Sequence, residues 1–311
     1  MVLDRRALLA GMGSTGLVTL AGRAKATPAP DADGALRHAL AALERKAGGK
    51  FGASVLDCRD GALVGYRLGE RFTMCSTFKL PLAALVLSRI DAGAMAPDAT
   101  LPISAADPVG HAPVVRARLA AGDTSMAVLD LCEAAQTQSD NGAANILLRA
   151  LGGPAALTTF FRTLGDGVTR LDRYEPALNT SHDGDPRDTT TAGAMAQNLR
   201  MILTGELLTP ASRTRLIDWT IATQTGLKRL RGGLPADWRA GDKTGTAASD
   251  GSYASKANDV AICWHPHRAE PFIITAFYET AARSKDGPQP ADDAVIAQIG
   301  RIAGQWIDRR L

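Results

Sequence analysis

The sequence lacks clustered cysteines, a run of apolar residues long enough to span a bilayer, and, beyond its first residues, an excess of either charge. Each shortage closes a class of function. The four cysteines, Cys58, Cys75, Cys132 and Cys263, are scattered with no C-x-x-C spacing, which argues against a zinc ribbon or a redox motif of the thioredoxin type. Histidines are equally dispersed. His265-Pro266-His267 has the spacing of two metal ligands, but no acidic residue follows directly, and His38, His111 and His182 form no second cluster. No metal and no cofactor is therefore expected. The formal charge of +3 comes from residues 1–26, where Arg5, Arg6, Arg23 and Lys25 stand against Asp4 alone. The remainder is neutral and offers no electrostatic footprint for nucleic acid.

That basic start has a pattern of its own. Asp4-Arg5-Arg6 leads into a weakly apolar stretch ending near Leu20, followed by Ala24-Lys25-Ala26 and the linker Thr27-Pro28-Ala29-Pro30. A charged start, a short apolar region and an A-x-A site are the marks of an export signal, and its Gly, Ser and Thr residues break it too often for a membrane anchor. The expectation is a signal over 1–26, cleaved near Ala26, and an exported monomer with no membrane segment. The paired arginines fit the twin-arginine route or an ordinary signal.

Periodicity beyond the linker predicts a helix over 31–46, stopped at Gly48-Gly49, then two strands, 51–57 and 63–68, around the turn Arg59-Asp60-Gly61. From residue 70 to 219 the pattern turns helical, with segments 80–90, 128–137, 143–151, 154–164, 190–203 and 210–222 separated by Gly, Pro and Asp breaks. Strand-like runs return at 241–247, 259–264 and 272–278, before an amphipathic stretch carrying Val295, Ile299, Ile302 and Trp306. The expected fold is α+β. Residues 27–69 and 220–311 supply a five-stranded antiparallel sheet flanked by terminal helices, and residues 70–219 form an inserted all-helical lobe. A cleft between the lobes is the expected location of a site.

Four stretches carry candidate chemistry. Ser76 and Lys79, in Met74-Cys75-Ser76-Thr77-Phe78-Lys79, fall three apart at the start of a predicted helix, which puts an amine beside a hydroxyl. A serine hydroxyl needs such a base to become a nucleophile. Ser139-Asp140-Asn141 occupies a polar break between helices, and Asn145 follows it. Arg173-Tyr174-Glu175-Pro176 opens an aperiodic section through Asn179 to Asp188, whose ends an Arg173–Asp188 ion pair would tie. Lys243-Thr244-Gly245-Thr246 lies on a predicted strand, where alternation sends Lys243 and Thr244 to opposite faces.

Together, S-x-x-K at 76–79, S-D-N at 139–141, E-x-x-x-N at 175–179 and K-T-G at 243–245 resemble the motif set of a class A serine β-lactamase. The resemblance implies an exported hydrolase of penicillins and cephalosporins that confers antibiotic resistance. Ser76 would be acylated, with Lys79, or Glu175 through water, as base. Backbone N–H groups of Ser76 and Thr246 would form the oxyanion hole. Ser139 would pass a proton to the leaving nitrogen beside Lys243, and Glu175 with Asn179 would activate the deacylating water. Asn141, Thr244, Thr246 and Arg229 would contact substrate. Cys75, Asn145, Arg173, Asp188 and Gly245 would shape the site.

The chain also departs from the pattern. His111 stands where the family usually has an aromatic gatekeeper. Cys75 with Thr246 resembles carbapenem-hydrolysing members, but Ala247 replaces the cysteine that would bridge Cys75, and Ala83 stands opposite Cys132, so neither family disulfide is expected. A penicillin-binding D,D-peptidase shares three of the motifs but lacks the loop glutamate, so Glu175 discriminates. A catalytically silent sensor on the same fold would show no turnover.

Overall fold

The computed structural model describes residues 32–180, 182 and 184–311; the expected signal and linker lie outside them. Helix α1 (Ala32–Ala47) ends at Gly48 and Gly49, both at φ 71°, a conformation that glycine reaches without steric cost. Strands β1 (Lys50–Asp57) and β2 (Leu63–Tyr66) form the expected hairpin. A three-residue strand, β3 (Arg71–Thr73), leads to a single 3-10 turn over Cys75–Phe78 and then to α2 (Lys79–Asp91). The helical region follows: β4 (Thr100–Pro102), α3 (Pro113–Ala120), β5 (Ser125–Ala127), α4 (Val128–Thr137), α5 (Asn141–Ala150) and α6 (Pro154–Thr163). The loop after α6 contains a short turn at Ala177–Asn179 and ends in β6 (Thr189–Thr191), which pairs with β3. Next come α7 (Ala192–Thr204), α8 (Pro210–Ala222) and the one-turn α9 (Leu230–Gly233), then β7 (Arg239–Ala247), β8 (Lys256–Trp264), β9 (Phe272–Glu279) and α10 (Pro290–Asp308).

The sheet has the order β2-β1-β9-β8-β7, and every neighbouring pair is antiparallel. Alternation along its strands feeds two cores. Phe51, Ala53 and Val55 of β1 with Ile274 and Tyr278 of β9 pack beneath α1 and α10, joined by Ile299 and Trp306. The intervening residues Leu56, Ile273 and Phe277 face the helical side with α2, α4 and α7. Burial on both faces accounts for the nearly continuous apolar reading of β8 and β9. Edge strand β7 borders the helical region, and α2 is apolar almost all round because α4, α5, α7 and α8 surround it.

The structure differs from the periodic reading in instructive places. Ser76 lies in the 3-10 turn, not in the α-helix, so Ser76 and Lys79 are eclipsed by three-residue geometry. The segment expected to be helical from residue 190 begins as strand β6, with Thr191 capping α7 by accepting from Ala194 N. Among the described residues no helix is long and apolar enough to cross a membrane.

Candidate active site

A cavity of about 340 Å3 opens along the edge of β7, lined among others by Ser76, His111, Ser139, Asn141, Glu175 and Asn179. Thr225, Thr244 and Thr246 complete the opposite wall. Lys79 Nζ donates to Ser76 Oγ (2.9 Å), Ser139 O (2.8 Å) and Asn141 Oδ1 (2.5 Å), and stands 3.2 Å from Glu175 Oε1. Ser76 Oγ donates to the same Glu175 oxygen at 3.1 Å. Hydroxyl, amine and carboxylate thus close a triangle, with direct serine–glutamate contact where the sequence reading allowed for a bridging water.

Each corner is held by backbone. The turn carrying Ser76 starts at Cys75 with φ 46°, and Asn258 Nδ2 donates to the carbonyls of Thr73 and Met74 just before it. Glu175 is gripped by Asn145, whose Nδ2 donates to Glu175 O and whose Oδ1 accepts from Glu175 N, both at 2.9 Å. Asn179 Nδ2 donates to Glu175 Oε2 at 2.6 Å. The loop is tied at its ends: Arg173 Nε lies 2.6 Å from Asp188 Oδ2, while Asp188 Oδ1 accepts from the N–H groups of Asp172 and Arg173. Asp188 also accepts Met74 N through its carbonyl, so the loop that positions the glutamate is fastened beside the turn that positions the serine.

Ser139, at φ 57°, turns its carbonyl to Lys79 and its hydroxyl to Lys243, whose Nζ donates at 3.0 Å. Asp140 caps α5 by accepting Ala143 N and also takes the N–H groups of Val114 and Val115 at the start of α3. Gly245 has a packing reason: a Cβ there would come 2.6 Å from Met74 O and 3.1 Å from Cys75 Cβ. Only glycine lets β7 approach the serine turn closely enough to bring Thr246 beside it.

Burial sets the electrostatics. It pulls the Lys79 ammonium below its ordinary pKa, against the Glu175 carboxylate that favours the charged form. Lys243 is lowered to about 7, first by burial and then by repulsion from Lys79. The Cys75 thiol is pushed up to about 12 by burial, which makes it inert beside the serine. All four cysteines are free.

Arg229, which the resemblance makes a substrate contact, is buried behind β7, adjoining the cavity wall rather than lining it. It donates to Gly245 O, Asn258 O and Thr246 Oγ1 and pairs with Asp293 at 2.7 Å. Its path into the cavity runs through the Thr246 hydroxyl. His111 lines the rim, its Nε2 3.0 Å from Gln138 O.

Sequence reasoning missed Thr225, whose Oγ1 lies 2.6 Å from Thr244 Oγ1. It also missed a buried carboxyl pair behind the K-T-G strand. Asp242 Oδ1 accepts from Arg231, and Asp259 Oδ2 accepts from Leu230 N, while Asp242 Oδ2 and Asp259 Oδ1 lack any donor. Burial raises both pKa values, and mutual repulsion raises Asp259 further; one proton held by the pair would satisfy both orphaned oxygens. No spacing in the sequence signals this, because the two residues meet only through the register in which Thr244 faces Asp259 and Asp242 faces Ala261. Among the described residues no group of three or more His, Cys, Asp or Glu side chains could hold a metal ion.

Comparison with known proteins agrees with this geometry. A model of the β-lactamase enzyme family matches residues 35–307. β-Lactamase L2 of Stenotrophomonas maltophilia is 44% identical over 291 residues, 94% of this chain and 92% of its own. The carbapenem-hydrolysing β-lactamase KPC of Klebsiella oxytoca is 41% identical over 264 residues, 85% of this chain and 86% of its own. Among solved structures, an ancestral class A β-lactamase superposes with a TM-score of 0.79 at 52% identity, over 86% of this chain and 98% of its own. A β-lactamase from Xanthomonas campestris gives 0.82 at 42% identity, over 89% and 98%. Motifs, sheet order, and a match spanning most of both chains agree: the chain belongs to the β-lactamase enzyme family and, within it, to class A.

Proposed function

We propose that the protein is an exported serine hydrolase that opens the β-lactam ring of penicillins and cephalosporins through an acyl-enzyme on Ser76, and thereby confers antibiotic resistance. One observation carries the mechanism: Ser76 Oγ lies within hydrogen-bond distance of both Lys79 Nζ and Glu175 Oε1. A hydroxyl so placed can lose its proton to the amine or to the carboxylate as it attacks the lactam carbonyl. The acylation base is either Lys79 or Glu175.

Charge developing on the lactam oxygen would be met by backbone N–H groups of Ser76, at the start of a turn, and of Thr246, on the approaching strand. As the C–N bond breaks, the ring nitrogen takes a proton from Ser139, which Lys243 keeps in a positive environment. The substrate carboxylate would be received by the hydroxyls of Thr244, Thr246 and Thr225, with Lys243 and Arg229 supplying the positive potential behind them. Asn141 is available to the substrate's amide side chain. In the second half of the reaction, Glu175, oriented by Asn179, takes a proton from the water that attacks the ester and frees Ser76. Export is supported by the pattern of residues 1–26.

A chromogenic cephalosporin tests the reading. The protein is expected to turn it over repeatedly, and Ser76→Ala to abolish turnover without loss of fold. A single stoichiometric burst would indicate a D,D-peptidase, and no reaction a silent relative. Hydrolysis that survives in Ser76→Ala would remove the serine from the mechanism.

A further inference from the structure

The two backbone donors assigned to the oxyanion hole sit on different elements, Ser76 on the 3-10 turn and Thr246 on β7. Asn258, on β8 and 1% exposed, touches both elements. In the sheet it stands opposite Gly245, one rung from the pair Thr246 and Ala257. Its carbonyl accepts from Arg229 Nη1 at 2.8 Å, the same nitrogen that donates to Gly245 O. Its side chain leaves the sheet for the turn, where Nδ2 donates to Thr73 O at 2.8 Å and to Met74 O at 3.1 Å.

The other end of the amide is occupied as well: Asn258 Oδ1 accepts from Tyr278 N on β9 at 3.2 Å. These partners fix which way the amide points, because two carbonyls need the NH2 group and a backbone N–H needs the oxygen. The Met74 carbonyl belongs to the peptide unit whose orientation is set by φ of Cys75. At 46° that angle is costly for a residue with a Cβ, and such a conformation persists only where its surroundings impose it. Thr77 contributes from within the turn, through Oγ1 at 2.9 Å and N at 3.3 Å to Met74 O, and Asp188 O holds Met74 N at 2.9 Å. Asn258 ties the same peptide to the sheet. Gly245 completes the contact, since a Cβ on it would come 2.6 Å from Met74 O.

We propose that Asn258 is a positioning residue for acylation: by joining the Met74-Cys75 peptide to the rung beside Thr246, it sets the separation and aim of the two oxyanion-hole N–H groups. It acts through Ser76 and Thr246 and touches no substrate atom. The inference rests on the hydrolase reading above. It explains why an amide stands here, since leucine of similar size has no donor and an ionised aspartate would turn oxygens toward two carbonyls.

Single-turnover stopped flow with a chromogenic cephalosporin tests it on the full chain. In Asn258→Leu the acylation rate constant should fall by about 100- to 1000-fold, the weight of one oxyanion-hole donor. The half-saturating concentration in the same traces should move by less than about threefold, because the loss falls on the transition state. A second substitution, Cys75→Gly, should recover about fivefold or more of that rate, because glycine reaches a positive φ without the cost a Cβ imposes. Should Asn258→Leu fail to melt cooperatively, Asn258→Ser decides; it leaves room for water and should lose about tenfold, as for one hydrogen bond. Acylation unchanged in both variants, a loss confined to half-saturation, or no recovery with Cys75→Gly would overturn the proposal. Absence of turnover in the wild type would instead remove the hydrolase reading, and this role with it.

Discussion

Lys79 and Lys243 are both fully buried and both reach Ser139, one through its carbonyl and the other through its hydroxyl, yet their surroundings differ in kind. Lys79 has a carboxylate at 3.2 Å and the nucleophile at 2.9 Å. Lys243 has only a hydroxyl and its neighbour's carbonyl, Thr244 O at 2.8 Å. Burial depresses both ammonium groups, but an anion resists that only at Lys79 at close range. The first lysine is therefore suited to exchanging protons with Ser76 and Glu175. The second is a positive charge awaiting an anion, and the substrate carboxylate would supply it.

The largest expected difference lies in the chemical step. Lys79→Met should lower the acylation rate by about 100- to 10,000-fold, the usual weight of a positioned acid–base group, with little change in KM. Stopped-flow acylation measures it; a change confined to KM would erase the distinction between the lysines. Lys243→Met should act the other way, raising KM for carboxylate-bearing substrates by about 10- to 150-fold, the worth of one charge-assisted hydrogen bond, with partial rescue in Lys243→Arg.

The same contrast has a pH signature. Because the fold lowers the pKa of Lys243 to about 7, its charge is lost as pH rises through that value, well before a lysine in the unfolded chain would titrate. The KM of the wild type should therefore climb above about pH 7, while that of Lys243→Arg should stay flat, because a guanidinium does not titrate there. Parallel profiles would show that Lys243 keeps its proton. In the same interval the unfolded chain binds more protons, so this group makes stability rise with pH.

A smaller effect concerns the carboxyl pair behind β7. Its raised pKa values mean that the folded state keeps a proton the unfolded chain has lost, so the pair's contribution to stability declines as pH rises above the usual carboxylate range. Asp259→Asn supplies a permanent donor to Asp242. The variant should show a shallower decline in melting temperature with pH than the wild type, and equal slopes would exclude the shared proton.

What was legible in the sequence divides along the same physical line. Elements with sustained periodicity, such as α1, α2 and α10 and the sheet strands, are visible in sequence because burial repeats along them. Three-residue strands such as β3 and β6 have no period to detect, and α3, with Val115 its only buried residue, presents no apolar stripe. At the site, Ser76 and Lys79 are legible because local turn geometry brings them together. Thr225, the Asp242–Asp259 pair and the position of Arg229 behind β7 depend on strand register and on close approach at Gly245, which a linear motif does not encode.

The central claim is that Glu175 frees an acyl group from Ser76. Intact-mass spectrometry of Glu175→Ala with a penicillin tests it most directly. One adduct of the full substrate mass is expected, mapped by peptide digestion to Ser76 and persisting while the wild type returns to its unmodified mass. Unmodified protein with undiminished turnover, or an adduct on Cys75 instead, would contradict it.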